Sequence, residues 1–247
     1  MAEGPDDLGG LPERVGAYRL HAVPSALRPY VRAIWTLDGT GEPLSERVPA
    51  TLAHDLVLGE TPYGCVIDGV ATRSVGAVLH GLTASARRYD HAGEDRLTGV
   101  QFEPGGLGAF CADVRTFADQ ADRCFASTVW GDPSPVVRAG AVVERLLGLL
   151  EPDPDTDALV RALLAAPRVD VAADRLGTTS RTLRRHALRR VGLSPKHIQR
   201  IGRFDRARTL RDRGRDLAEV AVLAGFADQA HLCREWRALA GVSPTGR

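Results

Sequence analysis

Two segments in the last third of the chain follow one pattern, and that repeat constrains the fold more than any other feature. The first reads VDVAADRLGTTSRTLRRHALRRVGLSPK (Val169–Lys196), the second LAEVAVLAGFADQAHLCREWRALAGVSPT (Leu217–Thr245). In the first, Val169, Ala172, Ala173 and Leu176 fall on one helix face and Gly177 follows. In the second, Leu217, Val220, Ala221 and Ala224 repeat the spacing before Gly225. Each reads as a two-turn helix with one apolar face, stopped by a glycine free to turn left-handed. Ala172, Ala173 and Ala221 are small enough for a second helix to cross close by, as a helix-turn-helix requires. Asp170 and Asp216 stand at or near the helix starts, where a carboxylate meets free amides.

A second helix follows each turn, with Thr178, Thr179 or Ser180 as N-cap in one copy and Asp228 in the other. Leu183 and Val191 anchor the first of these helices; Leu232, Trp236 and Ala240 anchor the second. The copies close on Gly192–Pro195 and Gly241–Pro244, 49 residues apart. Between them Ile198, Ile201, Phe204, Ala207 (or the stem of Arg208) and Leu210 form an apolar stripe. That stripe predicts a connecting helix from Pro195 to about Arg213. Two such units entering successive major grooves of B-DNA must present their second helices about 34 Å apart.

Charge divides the chain at the same place. From Thr156 onward there are 19 Arg and Lys against 9 Asp and Glu, whereas the preceding part holds 13 against 22. A basic segment beside an acidic one points to a polyanion as partner of the C-terminal part alone. Lys196 is the single lysine, and arginine suits bidentate contacts to phosphate and guanine. The four cysteines, Cys65, Cys111, Cys124 and Cys233, form no CxxC pair, which reads as reduced thiols rather than a zinc ribbon or disulfide framework. No apolar run reaches the length of a membrane span, and residues 1–17 read as a loose tail without a secretory signal. A cytoplasmic protein is expected.

The phrases LGTTSRTLRR, GLSPK, RARTL and LAEVAVLAGFADQAHLCREWRALAGVSP together resemble the C-terminal DNA-binding domain of the AraC/XylS family of transcription regulators. Ala187 takes a position where that family carries a bulky aromatic, leaving space for a neighbour such as Leu188. The resemblance implies that Arg181, Arg184 and Arg185 on the first reading helix face the major groove, where arginine suits the O6 and N7 of guanine. On the second, Gln229, His231 and Arg234 take the outward positions; glutamine suits adenine. Ser180 and the amides at each helix start suit phosphate. Arg189, Arg190, Arg203, Arg206 and Lys196 read as backbone contacts or surface charge, and His186 and His197 as isolated side chains.

Ahead of this domain, short apolar runs punctuated by Gly and Pro predict strands: Val31–Leu37, Asp55–Gly59, Gly64–Val70, Ser74–Gly81 and Leu97–Pro104. The stretch after Pro104 (LGAFCADV), Ala141–Leu150 and Thr156–Leu164 read as helical. Residues Glu151–Asp155 read as a linker. The expected fold is α+β: a β-rich roll or barrel-like domain over 18–151, then an all-α domain over 152–247 with two helix-turn-helix units on a linker helix. The phrases PSALRPYVRAIWTLDG, DLVLG and GVQFEPGGLGAF, with a later segment ending at Trp130-Gly131, resemble the sensor-like domain of some AraC-type regulators. Trp35, Tyr89, Gln101 and Glu103 are candidates for an effector pocket. His54, His80 and His91 share no ligand spacing and read as scattered surface or strand-end histidines, so neither metal nor cofactor is expected.

These readings combine into a regulator that is not an enzyme. Its expected partners are promoter DNA, RNA polymerase, a small-molecule effector and a second copy of the chain. Two alternatives stand beside it: a metal-dependent cupin-type enzyme fused to a DNA-binding tail, and a DNA-binding protein without sequence preference.

Overall fold

A computed structural model describes residues 18–110, apart from 40, 42, 60–62, 75–76, 84, 92 and 94–95, and residues 139–245. Among the described residues nine strands come first: β1 (Tyr18–His21), β2 (Val31–Leu37), β3 (Leu44–Val48), β4 (Asp55–Gly59), β5 (Tyr63–Ile67), β6 (Val70–Ser74), β7 (Ala77–His80), β8 (Arg87–His91) and β9 (Leu97–Phe102). They form two antiparallel sheets, in the orders β1-β2-β9-β4-β7 and β3-β8-β5-β6. Seven helices follow among the described residues: α1 (Ala139–Leu149), α2 (Pro154–Ala165), α3 (Val169–Arg175), α4 (Ser180–Arg190), α5 (Pro195–Asp212), α6 (Leu217–Ala224) and α7 (Gln229–Ala240). The α+β organisation expected from the sequence is the one observed.

The runs Val31–Leu37 and Asp55–Gly59 are strands over those same bounds. The run Gly64–Val70 is not one strand. It contains the turn of a hairpin, with Asp68 and Gly69 both at positive φ (51° and 84°) between β5 and β6. An Asp-Gly pair between apolar runs supplies that two-residue turn, because both positions demand left-handed backbone. Strand β7 correspondingly begins only at Ala77, and Ser74 ends β6. Strands β1, β3 and β8 lacked the apolar runs used above. The helical reading after Pro104 holds as a short 3-10 turn, Gly106–Ala109; the rest of that stretch and Trp130-Gly131 lie outside the described residues.

Both faces of the five-stranded sheet are covered, which is why all six residues of β9 are buried. On one face Ile34, Leu56, Leu79, Val100 and Phe102 pack with Leu107, Val142 and Leu146 from the 3-10 turn and α1. On the other lie Trp35, Leu37, Val57, Val78 and Leu97. Trp35 opposes Gly99 in the register, and its indole lies across that glycine; a Cβ there would stand 1.9 Å from a ring carbon. Glycine at 99 is thus needed for space.

The helical core is a third cluster, gathered around α5, that takes in Leu159, Val160 and Leu163 of α2. It also takes in Ala50, Leu52 and Leu82 from the loops of the sheet region, so the two regions share apolar packing.

His54, His80 and His91 all stand at strand ends, one of the two expected placements, but His54 is not at the surface. It is fully buried just before β4, and its carbonyl accepts the Phe102 N–H at 2.9 Å. Neither ring nitrogen has a hydrogen-bond partner among the described residues. Burial disfavours the imidazolium and pulls His54 from 6.5 down to about 3. The unfolded chain therefore takes up a proton between these two values that the folded chain refuses, and stability falls as pH drops through that window.

Two outcomes are expected. Gly99→Ala lowers stability by about 1–3 kcal/mol through overpacking against Trp35, read as a fall in thermal midpoint. His54→Gln flattens the decline of that midpoint with acid below pH 6.5; an unchanged slope excludes His54 as its source.

Candidate nucleic-acid interface

Each unit begins with a short helix ended by a left-handed glycine, Gly177 (φ 61°) after α3 and Gly225 (φ 83°) after α6. The chain then closes back by the same bond in both: Thr178 N–H to Ala173 O at 2.9 Å, and Phe226 N–H to Ala221 O at 2.8 Å. These bonds satisfy carbonyls that a helix end leaves unpaired. Ala172, Ala173, Ala221 and Ala224 are buried, as close crossing of the next helix requires.

The caps of the second helices are where the copies diverge. Thr179 caps α4, its Oγ1 accepting the Thr182 N–H at 3.2 Å. Asp228 caps α7, accepting the His231 N–H at 2.6 Å. The second turn is thus one residue longer, holding Phe226 and Ala227 where the first holds Thr178 alone. Aligned from these caps, Trp236 occupies the position of Ala187. Trp236 meets Phe204 edge-on at 5.3 Å; Ala187 is fully buried and Leu188 only half so.

Cap bonds also hold the first helix of the second unit, where Asp216 accepts from Ala218 N–H and Glu219 N–H at 2.9 Å each. Asp170 lies inside α3 and pairs with Arg168, with no side-chain cap bond from Arg168 itself. Its carboxyl is held below the ordinary value chiefly by its hydrogen bond to Arg168.

Ser180, Arg181, Arg184 and Arg185 are all exposed on α4; Gln229 and Arg234 are exposed on α7. Among the described residues none of the four arginines has an ion-pair partner. Glu235, beside Arg234, is taken by Arg200 of α5 at 2.5 and 3.3 Å. His231 is only half exposed: its ring meets Phe226 edge-on at 5.5 Å, and its Nδ1 accepts the Ala227 N–H at 3.3 Å. That bond makes Nε2 the protonated nitrogen of the neutral ring.

Several arginines read from sequence as backbone contacts or surface charge are hydrogen-bonded to other parts of the chain. Arg190 reaches Asp153 at 2.7 Å and Thr156 at 3.3 Å, tying α4 to the start of α2. Arg206 donates to Leu164 O at 2.9 Å. Arg203 is half-buried, and burial lowers its pKa, with the Arg206 and Arg200 charges adding and Glu235 opposing. Arg189, Lys196 and His197 are exposed, and His186 is half-buried. On the same helix Asp205 is pushed up to about 6 by burial, against the pull of Arg208 and of Arg32 from β2.

Of the candidate pocket residues, Trp35 and Gln101 share one face of the five-stranded sheet, since Trp35 pairs with Gly99 and Gln101 with Ala33. The Trp35 Nε1 and the Gln101 Oε1 are buried without a hydrogen-bond partner among the described residues. The Tyr89 ring, from β8 of the other sheet, meets the His80 ring of β7 edge-on at 5.4 Å. Glu103 lies past the end of β9, where Arg32 takes its carboxylate at 3.0 Å. Cys233 is a free, half-buried thiol, and no group of metal-binding side chains occurs among the described residues.

Residues 172–246 match the family described as "Helix-turn-helix domain". The C-terminal domain is a helix-turn-helix domain of the AraC type. The chain is accordingly a DNA-binding protein of the transcription-regulator class. Residues 21–123 match a domain of unknown function, DUF6597. Comparison with curated proteins found no match. Among solved structures, ToxT from Vibrio cholerae with a bound unsaturated fatty acid is 10% identical, with 95% of each chain covered and a TM-score of 0.46. A further ToxT crystal form is 8% identical over 93% of this chain and 97% of that one, also at 0.46. Likeness this loose concerns general layout and carries no argument about ligand or residue roles.

Removing the cap of α7 isolates its contribution. Asp228→Ala is expected to cost about 0.5–2 kcal/mol, measured by denaturant unfolding, with faster amide exchange at His231 and no change at the start of α4.

Proposed function

We propose that the chain is a sequence-specific transcription regulator that reads a bipartite DNA site, α4 on one half and α7 on the other. The supporting observation is the set of exposed arginines, unpaired among the described residues, on two helices that α5 braces. Arg181, Arg184 and Arg185 serve the first half, and Gln229, His231 and Arg234 the second, with Ser180 toward phosphate. An 18-residue α5 is about 27 Å long, of the order of the 34 Å between successive major grooves. His231 acts as a donor through Nε2, suited to phosphate or to a base acceptor. Regulation of transcription brings RNA polymerase in as a further partner.

The domains divide, on this reading, between residues 151 and 152. The tie from Asp153 to Arg190 and the place of Leu159, Val160 and Leu163 in the helical core support putting α2 with the reading domain. The sheet domain modulates DNA binding by taking a small molecule against Trp35, Tyr89 and Gln101. The unsatisfied Trp35 donor and Gln101 acceptor support this, because a buried polar group without a partner costs stability that a ligand recovers.

Selection of genomic fragments by purified protein tests the reading. Wild type is expected to return two half-elements about ten base pairs apart. Arg184→Ala is expected to relax preference in one half and Arg234→Ala in the other, each costing about 1–3 kcal/mol. Fragments without a shared motif, with both variants weakening binding evenly, would overturn sequence-specific reading in favour of general DNA binding.

A further inference from the structure

The C-terminus of α7 is closed by the sheet domain. The last carbonyls of a helix lack partners within it and carry partial negative charge. At the end of α7 the Gly241 N–H returns to Arg237 O at 2.9 Å. The Leu239 carbonyl, however, accepts from the backbone N–H of Ala50 at 2.7 Å, and the Gly241 carbonyl from Arg47 Nη1, also at 2.7 Å. The fit is close: a Cβ on Gly241 would stand 2.7 Å from Arg47 Nη1 and 3.2 Å from the Ala86 Cβ. Ala50 itself is fully buried in the cluster that contains Leu239 and Trp236.

The first unit has a different arrangement. After α4, Gly192 N–H returns to Ala187 O at 3.1 Å, and the chain runs directly into α5 from Ser194. Its closing bond lies within the helical domain, with a Cβ on Gly108 of the sheet domain falling in van der Waals reach of the Arg190 carbonyl, whereas the end of the second unit is hydrogen-bonded by β3 and the loop after it. Strand β3 pairs along β8, with Glu46 opposite Tyr89, Arg47 opposite Arg88 and Val48 opposite Arg87. Tyr89 is the side chain that β8 sends to His80 of the other sheet. Between the intersheet face and the end of α7 there is accordingly one strand pair.

We propose that Arg47 and Ala50 form a control point for the second reading helix, so that a ligand seated between the sheets changes how firmly α7 is held without addressing α4 by the same route. This rests on the modulation proposed above and specifies its path: β8 to β3 to the α7 terminus. The ligand in question is a small molecule with an acceptor for the Trp35 Nε1 and a donor for the Gln101 Oε1.

Full-length protein without ligand, compared as wild type, Arg47→Met and Arg47→Lys, tests it by amide exchange and by footprinting on a selected site. Arg47→Met keeps the stem and removes the guanidinium of an exposed residue. It is expected to speed exchange at Arg237–Gly241 roughly threefold to tenfold, with the end of α4 unchanged. Protection should be lost over the half-site read by α7 and kept over the other. Arg47→Lys, which retains a charge near the Gly241 carbonyl, should recover part of both effects. Unchanged exchange in α7, equal loosening of α4 and α7, or a faster α7 with both half-sites fully protected would each overturn the proposal. The exchange arm needs no DNA, so absence of any selected site sinks the reading of bipartite recognition while the control point is still decided.

Discussion

Burial of the α5 stripe is the constraint on which the helical end of the molecule depends. Ile198, Ile201, Phe204 and Ala207 are each at most 1% exposed, and truncating such a core aromatic costs about 3–5 kcal/mol. Phe204 receives Trp236 from α7 on its ring edge, while the Arg208 guanidinium lies 5.9 Å from its centre. Gly202 lets α2 come in so close that a Cβ would stand 2.4 Å from Leu164 Cδ2. Gln199 finishes α2 by donating to Leu163 O and Ala166 O at 3.2 and 2.9 Å. Because one helix meets α2, α4, α6 and α7, the placement of α4 and α7 is set by packing rather than by the loops.

Electrostatics separates the arginines that this packing leaves free from those it consumes. Arg190, Arg200 and Arg206 spend their donors on Asp153, Glu235 and Leu164 O, in partly exposed pairs that position helices more than they stabilise them. Arg181, Arg184, Arg185 and Arg234 keep theirs. An excess of positive charge in sequence is therefore two populations in space, one structural and one available to a polyanion.

How much was legible in the sequence follows from which interactions are local. Helix faces, left-handed glycines and caps Thr179, Asp216 and Asp228 were readable, because each depends on neighbours within one or two turns. The β5–β6 hairpin is local too: Asp68-Gly69 carries its turn signal inside an apolar run that otherwise reads as one strand. Strands β3 (LSERV) and β8 (RRYDH) were not, since charged residues break their apolar pattern and it is pairing, of β3 with β8 and of β8 with β5, that makes them strands. The fates of Arg190 and Arg206 were hidden for a similar reason: their partners, Asp153 and Leu164, lie 37 and 42 residues away. The burial of His54 gave no signal, as nothing in its sequence surroundings distinguishes it from an exposed histidine.

The longer turn of the second unit bears on anyone who would exchange specificities between the two halves. Matching the halting glycines, Gly177 and Gly225, sets the sequences in register through the first helix but leaves α4 and α7 out of frame by one position. A graft aligned that way would rotate each transplanted side chain by about 100° around the helix axis, turning exposed arginines toward the core. Alignment on Thr179 and Asp228 instead keeps Leu183 over Leu232 and Arg185 over Arg234. The two halves are modular only when counted from their caps.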